Sequence, residues 1–149
     1  MSVVNELPRD LLAEKSLLGC LLIEGTVDQI SDLRLGPEDF FHPQYAMVFQ
    51  SIMDLAHASL PIDYVTVSSK LTDQGKIDTI GGMGFIAELA EGQASSANIH
   101  HYGKIVKDKS TVRKLVRMAT KVVERGMNYG GEVEDFVTEV EANLFKLTT

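Results

Sequence analysis

Residues 105–147 read IVKDKSTVRKLVRMATKVVERGMNYGGEVEDFVTEVEANLFKL, and the spacing of their apolar positions decides the fold class. Ile105, Val112, Leu115, Val116, Ala119, Val122 and Val123 form a stripe of roughly heptad spacing that runs to Gly126. After Asn128-Tyr129-Gly130-Gly131, a turn by composition, Val133, Val137, Val140, Leu144 and Leu147 recur at intervals of 4, 3, 4 and 3. Two long amphipathic segments joined by so short a link predict an antiparallel helical hairpin. Two helices alone leave much of their stripes uncovered. The hairpin is therefore expected either to pair with a partner or to fold back on the rest of its own chain.

Upstream, turn residues cut the chain into short segments with helical spacing. Pro8 precedes Asp10 to Ile23, where Leu11, Leu18 and Leu22 repeat and Gly25 supplies a stop. Thr26 with Gln29 fits a capping box for a short helix through Ile30 and Leu33, ending before Gly36-Pro37. Pro43 suits a first helical position before Tyr45, Val48, Phe49, Ile52 and Leu55, the clearest amphipathic helix in this half. Asp63 can cap a segment reaching Gly75, but Tyr64-Val65-Thr66-Val67 has strand propensity, leaving helix and strand both open. Gly81-Gly82 and Gly92 bracket Phe85, Ile86 and Leu89, and Ser95 or Ser96 can cap the long segment that begins near Ala97.

Charge divides the chain in the same place. Residues 1–97 carry 5 basic and 14 acidic groups, residues 98–128 carry 8 and 2, and residues 129–149 carry 1 and 5. The basic block, Lys104, Lys107, Lys109, Arg113, Lys114, Arg117, Lys121 and Arg125, could meet phosphates or an acidic protein surface. The net charge of −7 and the lack of interleaved aromatics favour the protein surface. No apolar run approaches the roughly 18 to 20 residues that cross a bilayer, and charges interrupt the first twenty residues, so an intracellular, cytoplasmic chain is expected. Cys20 stands alone in an apolar stretch and reads as a core residue.

No catalytic constellation is legible. Gly82-Met83-Gly84-Phe85-Ile86-Ala87 matches the dinucleotide pattern but lacks the buried strand that must precede it. There is no phosphate-cradling G-x-x-x-x-G-K-[ST] and no G-x-S-x-G elbow. His100-His101, on adjacent helical positions, point about 100° apart and read as surface residues, as do the isolated His42 and His57. No catalytic, cofactor or metal residue is expected.

The order of motifs nevertheless resembles the N-terminal domain of the replicative hexameric DNA helicases of the DnaB type. Ala13-Glu14-x-Ser16-x-Leu18-Gly19, Asp39-Phe40-Phe41-x-Pro43 and Pro61-Ile62-Asp63 carry it first. Ile77-Asp78-x-x-Gly81-Gly82, Ser96-Ala97-Asn98-Ile99, Tyr102, Val106 and Arg113 continue it, over about Leu7 to Lys146. Tyr45 stands where that family usually has His, and Gly103 where it usually has Ala; Gly103 marks a bend between head and hairpin.

The resemblance implies an all-α fold: a globular head of about six short helices over residues 1–97, then a long antiparallel helical hairpin over 98–149. It implies a collar role at the replication fork, in which hairpins pair and six copies assemble as a trimer of dimers that docks the primase C-terminal domain in the primosome. Loader or clamp-loader proteins are further partners in some systems. Unwinding of duplex DNA, with ATP and Mg, belongs to a RecA-like ATPase motor expected to lie outside this chain. The subunit interface is expected at Val112, Leu115, Val116, Ala119, Val122, Val133, Val137, Val140 and Leu144. Arg113, Lys114, Arg117 and Lys121 are the candidates for primase contact, with DNA contact weak or indirect. The rival reading is a stand-alone single-stranded DNA-binding or replication accessory module using the basic helix 104–125.

Overall fold

The computed structural model describes residues 7–92 and 95–149. It is all-α, with no strand among the described residues. Four α-helices, α1 (Leu11–Glu24), α2 (Pro43–His57), α3 (Tyr64–Asp73) and α4 (Met83–Glu91), and two 3-10 helices, Asp28–Leu33 and Pro37–Asp39, form the head. Then come α5 (Ile99–Met127) and α6 (Val133–Thr148).

The head is built around α1. Leu17, Leu18, Cys20, Leu21 and Leu22 are all buried, so this helix is apolar almost all round, as a central helix must be. Leu11, expected in its core stripe, is exposed instead, because α1 starts at the rim where the Asp10 carboxylate accepts the Ala13 N–H at 2.9 Å. α2 contributes Val48, Phe49, Ile52 and Leu55, with the Phe40 and Phe49 rings 4.7 Å apart. The Cys20 thiol lies fully inside, 3.5 Å from the Ser95 carbonyl, and burial pushes its pKa up.

Residues 64–73 are helical. The Asp63 carboxylate accepts the Thr66 N–H at 2.8 Å while the Thr66 hydroxyl accepts the Asp63 N–H at 2.9 Å, a reciprocal cap that directs β-branched residues into a helix. Burial of Val67 and Leu71 on the core completes it. At 28–33 the expected cap differs: Thr26 accepts only the Asp28 N–H, at 3.2 Å, and the segment is 3-10 rather than α. At α5 neither Ser95 nor Ser96 stands at the cap position, which Asn98 occupies; the Ser95 hydroxyl accepts the Ala97 N–H at 3.1 Å.

α5 is one unbroken helix of 29 residues, and its first half is part of the head core through Ile99, Gly103, Val106, Ser110 and Arg113. The division between head and hairpin placed at Asn98 therefore falls about fifteen residues later in packing terms. Gly103 lies within this continuous helix, on its core face. A Cβ there would meet Leu33 Cδ1 at 2.7 Å and Ile30 Cγ2 at 3.3 Å, so the missing side chain lets the first 3-10 helix lie directly on α5.

Candidate interaction surface

The basic helix is fastened to the head by a buried polar knot. The 3-10 helix Pro37–Asp39 turns Asp39 fully inward. One carboxylate oxygen accepts the Ser110 hydroxyl at 2.6 Å and Lys114 Nζ at 3.1 Å; the other accepts the Gly36 N–H at 2.8 Å and Lys107 Nζ at 3.4 Å. Burial alone would raise this carboxyl's pKa, but the Ser110, Gly36 and Lys114 bonds outweigh it and hold the group below its ordinary value.

Beside it, Arg113 is 2% exposed. It donates to the Pro8 carbonyl at 2.9 Å and the Asp39 carbonyl at 2.8 Å, 5.5 Å from the centre of the Phe41 ring, and burial lowers its pKa. From α1, the Glu14 carboxylate accepts the Phe41 and His42 N–H groups at 3.0 and 3.2 Å. Burial raises Glu14 despite those bonds. Among the described residues no buried side-chain nitrogen or oxygen lacks a partner, so the knot is closed on itself.

This geometry sorts the basic series. Arg113, a candidate for partner contact, is inside the head and presents nothing to another protein, because it stands about 100° round the helix from its exposed neighbour Val112 and so falls on the core face. Lys114 and Lys107 are half-buried and held by Asp39. Lys104 pairs with Asp108 one turn on, at 2.7 Å, and Arg125 pairs with Glu139 across the hairpin. Lys109, Arg117 and Lys121 are exposed and make no ion pair with a described residue. Of the expected partner residues, Arg117 and Lys121 thus remain on the open surface. His100 meets the Asp32 carboxylate at 2.9 Å, and no group of three or more potential metal ligands occurs among the described residues.

Beyond the knot, the hairpin stands on its own. No residue of α6 is buried. Phe136, Val140 and Asn143 face Met118 and Val122 of α5 across a groove of about 280 Å³ bordered by Lys121, Arg125 and Glu139. At the turn, the Tyr129 and Phe136 rings lie 4.6 Å apart and the Arg125 guanidinium lies 5.5 Å from the Phe136 centre. On the other edge of the same stripe Val112, Val133, Val137 and Leu144 are each more than two-fifths exposed, and Ala119 is exposed too.

The predicted interface set thus divides. Val122 and Val140 line the intrachain seam, Leu115 and Val116 are half-buried, and Val112, Ala119, Val133, Val137 and Leu144 lie open. Missed by the stripe were Phe136 and Met118 inside the seam and Met127 and Phe145 outside it. Phe136 was findable: it stands four residues before Val140 and one helical turn after Glu132.

Comparison with known proteins agrees with this architecture. Residues 6–108 match the family model described as the DnaB-like helicase N terminal domain. The crystal structure of the N-terminal domain of DnaB helicase from Mycobacterium tuberculosis superposes with a TM-score of 0.85 at 34% identity, over 95% of this chain and 99% of that one. The replicative DNA helicase DnaB of Buchnera aphidicola subsp. Baizongia pistaciae (strain Bp) is 32% identical over 145 residues, 96% of this chain. DnaC of Bacillus subtilis (strain 168), also a replicative DNA helicase, is 29% identical over 140 residues, 94% of this chain. A DnaB-like replicative helicase, whose structure was described together with its interactions with primase, shares the fold at a TM-score of 0.76 and 22% identity, over 93% of this chain and 31% of that one. The chain spans 31% of the length of these curated relatives. With its helical head, buried α5 root and projecting hairpin, the chain belongs to the DnaB-like helicase N-terminal domain family.

Proposed function

We propose that this domain is the collar of a replicative DNA helicase, joining copies through its hairpin and presenting a docking surface to primase. The observation that carries the reading is the uncovered apolar edge Val112, Val133, Val137 and Leu144 on a helix pair with no buried residue in α6. An apolar edge of that length on a two-helix hairpin is stabilised by a second copy, since isolated helices draw most of their stability from packing. Pairing of hairpins builds dimers, and three dimers build the hexamer of such helicases. The open cations Arg117 and Lys121 then flank the pair and suit an acidic face of the primase C-terminal domain. Helicase loaders or clamp-loader subunits are further partners of the same collar. ATP and Mg2+ serve the motor of the full-length helicase, which unwinds the duplex.

Sedimentation equilibrium on the chain alone, and then with a primase C-terminal domain from the same source, tests this. Dimers or larger species that take up primase are expected. A strict monomer that ignores primase and binds single-stranded DNA with a log-linear salt dependence would instead support an accessory DNA-binding module.

A further inference from the structure

A second site lies in the head, away from the hairpin. Between the first 3-10 helix and α2 a cavity of about 230 Å³ opens to solvent. Its floor reaches the core at Ile30 and Phe49, with Met53 half-buried beside them. Its rim carries Ser31, Arg34 and His57. The volume falls below the roughly 300–1,000 Å³ of small-molecule sites and suits one large side chain.

Two observations say what chemistry should accompany that side chain. The head is acidic, with 14 carboxylates against 5 basic groups in residues 1–97, yet at this mouth an arginine and a histidine stand together. The nearby Asp32 is already held by His100. Arg34 also adopts a left-handed backbone, φ +52°, that glycine would occupy without strain. Its carbonyl is fixed by Lys107 Nζ at 3.2 Å, while its exposed guanidinium makes no ion pair with a described residue. That left-handed conformation closes the 3-10 helix, with the Arg34 N–H on the Ser31 carbonyl at 3.3 Å, and leaves an exposed, unpaired guanidinium at the lip of an apolar pocket, available to a carboxylate.

We infer that this pocket is an anchor site for an acidic protein segment, which inserts one large apolar side chain between Ile30, Phe49 and Met53 and sets a flanking carboxylate on Arg34 and His57. The arrangement is the common one of a desolvated apolar anchor with a charge-assisted bond at its edge. It is independent of the hairpin and of the collar role.

The test uses the whole chain labelled with 13C at the methionine methyls and titrated with the peptide Ac-Glu-Phe-Glu-NH2. The expected result is a saturable shift of the Met53 methyl in the millimolar range, with the Met127 methyl at the hairpin tip unmoved. Arg34→Gly relieves the backbone, so it keeps the fold, and is expected to weaken binding about tenfold. Three results would overturn the proposal: no Met53 shift at about 10 mM peptide, an equal shift with Ac-Lys-Phe-Lys-NH2 or Ac-Gln-Phe-Gln-NH2, or an unchanged affinity in Arg34→Gly.

Discussion

Asp39 is one carboxylate that ties four separate groups of the chain together, and its pKa makes the tie measurable. The group is held below its ordinary value, so its contribution to stability is complete at neutral pH and is lost as pH falls through about 4 and below. Asp39→Asn is expected to lower the urea-unfolding free energy by about 2–3 kcal/mol at pH 7, because Lys107 and Lys114 lose a buried counter-charge. At pH 3 the gap should narrow, and an undiminished gap would refute the assignment. Glu14 works with the opposite sign: burial raises its pKa, so its contribution is greatest in acid and falls as pH rises through the raised value. Glu14→Gln should therefore flatten the profile on the side where Asp39→Asn does not. Gly103 supplies another residue-scale test. Gly103→Val drives branched carbons into Leu33 and Ile30 and is expected to cost about 2 kcal/mol in the same assay. The sequence offered Asp39, Arg113 and Gly103 as members of a pattern but not their partners, since Asp39 and Ser110 lie 71 positions apart and only folding brings them together.

Among the elements, α2 and α3 end in the same way with different residues. Lys76 N–H bonds the Leu71 carbonyl at 2.8 Å and Gly75 N–H the Thr72 carbonyl at 3.0 Å, with Gly75 left-handed. In α2, Leu60 N–H bonds the Leu55 carbonyl at 2.9 Å and Ser59 N–H the Ala56 carbonyl at 3.0 Å, with Ser59 at φ +57°. A side chain in that conformation is strained, so Ser59→Gly is expected to raise stability by about 0.5–1 kcal/mol, read as a higher urea midpoint. A lowered midpoint would contradict the cap. Helix starts marked by Asp10, Pro43 and Asp63 were legible because each cap is decided within a few residues. The 3-10 character of 28–33 was not legible, since it depends on packing against α5 rather than on local spacing. The helical state of 64–73, left open against strand, was decided by the Asp63–Thr66 cap and by the core beneath Val67.

For the whole molecule, the open edge of the hairpin is the feature with consequences for assembly. Val137→Glu places a charge on that edge without touching the intrachain seam, and is expected to shift light-scattering mass toward monomer while the unfolding midpoint of the head stays put. An unchanged mass would dismiss the edge as an interface. Val140→Glu lies inside the seam and should disturb the hairpin itself. The two long helices and the turn between them were plain in the heptad spacing. Where the head ends was not, because charge composition changes at Asn98 while burial continues to Arg113. That continuity makes α5 a lever with its fulcrum at the Asp39 knot. From Arg113 to Met127 the helix extends about 21 Å, so a tilt of about 10° at the fulcrum carries the hairpin tip about 4 Å sideways. The short-range geometry around one buried carboxylate thereby sets how far the hairpin tip stands to either side of the head.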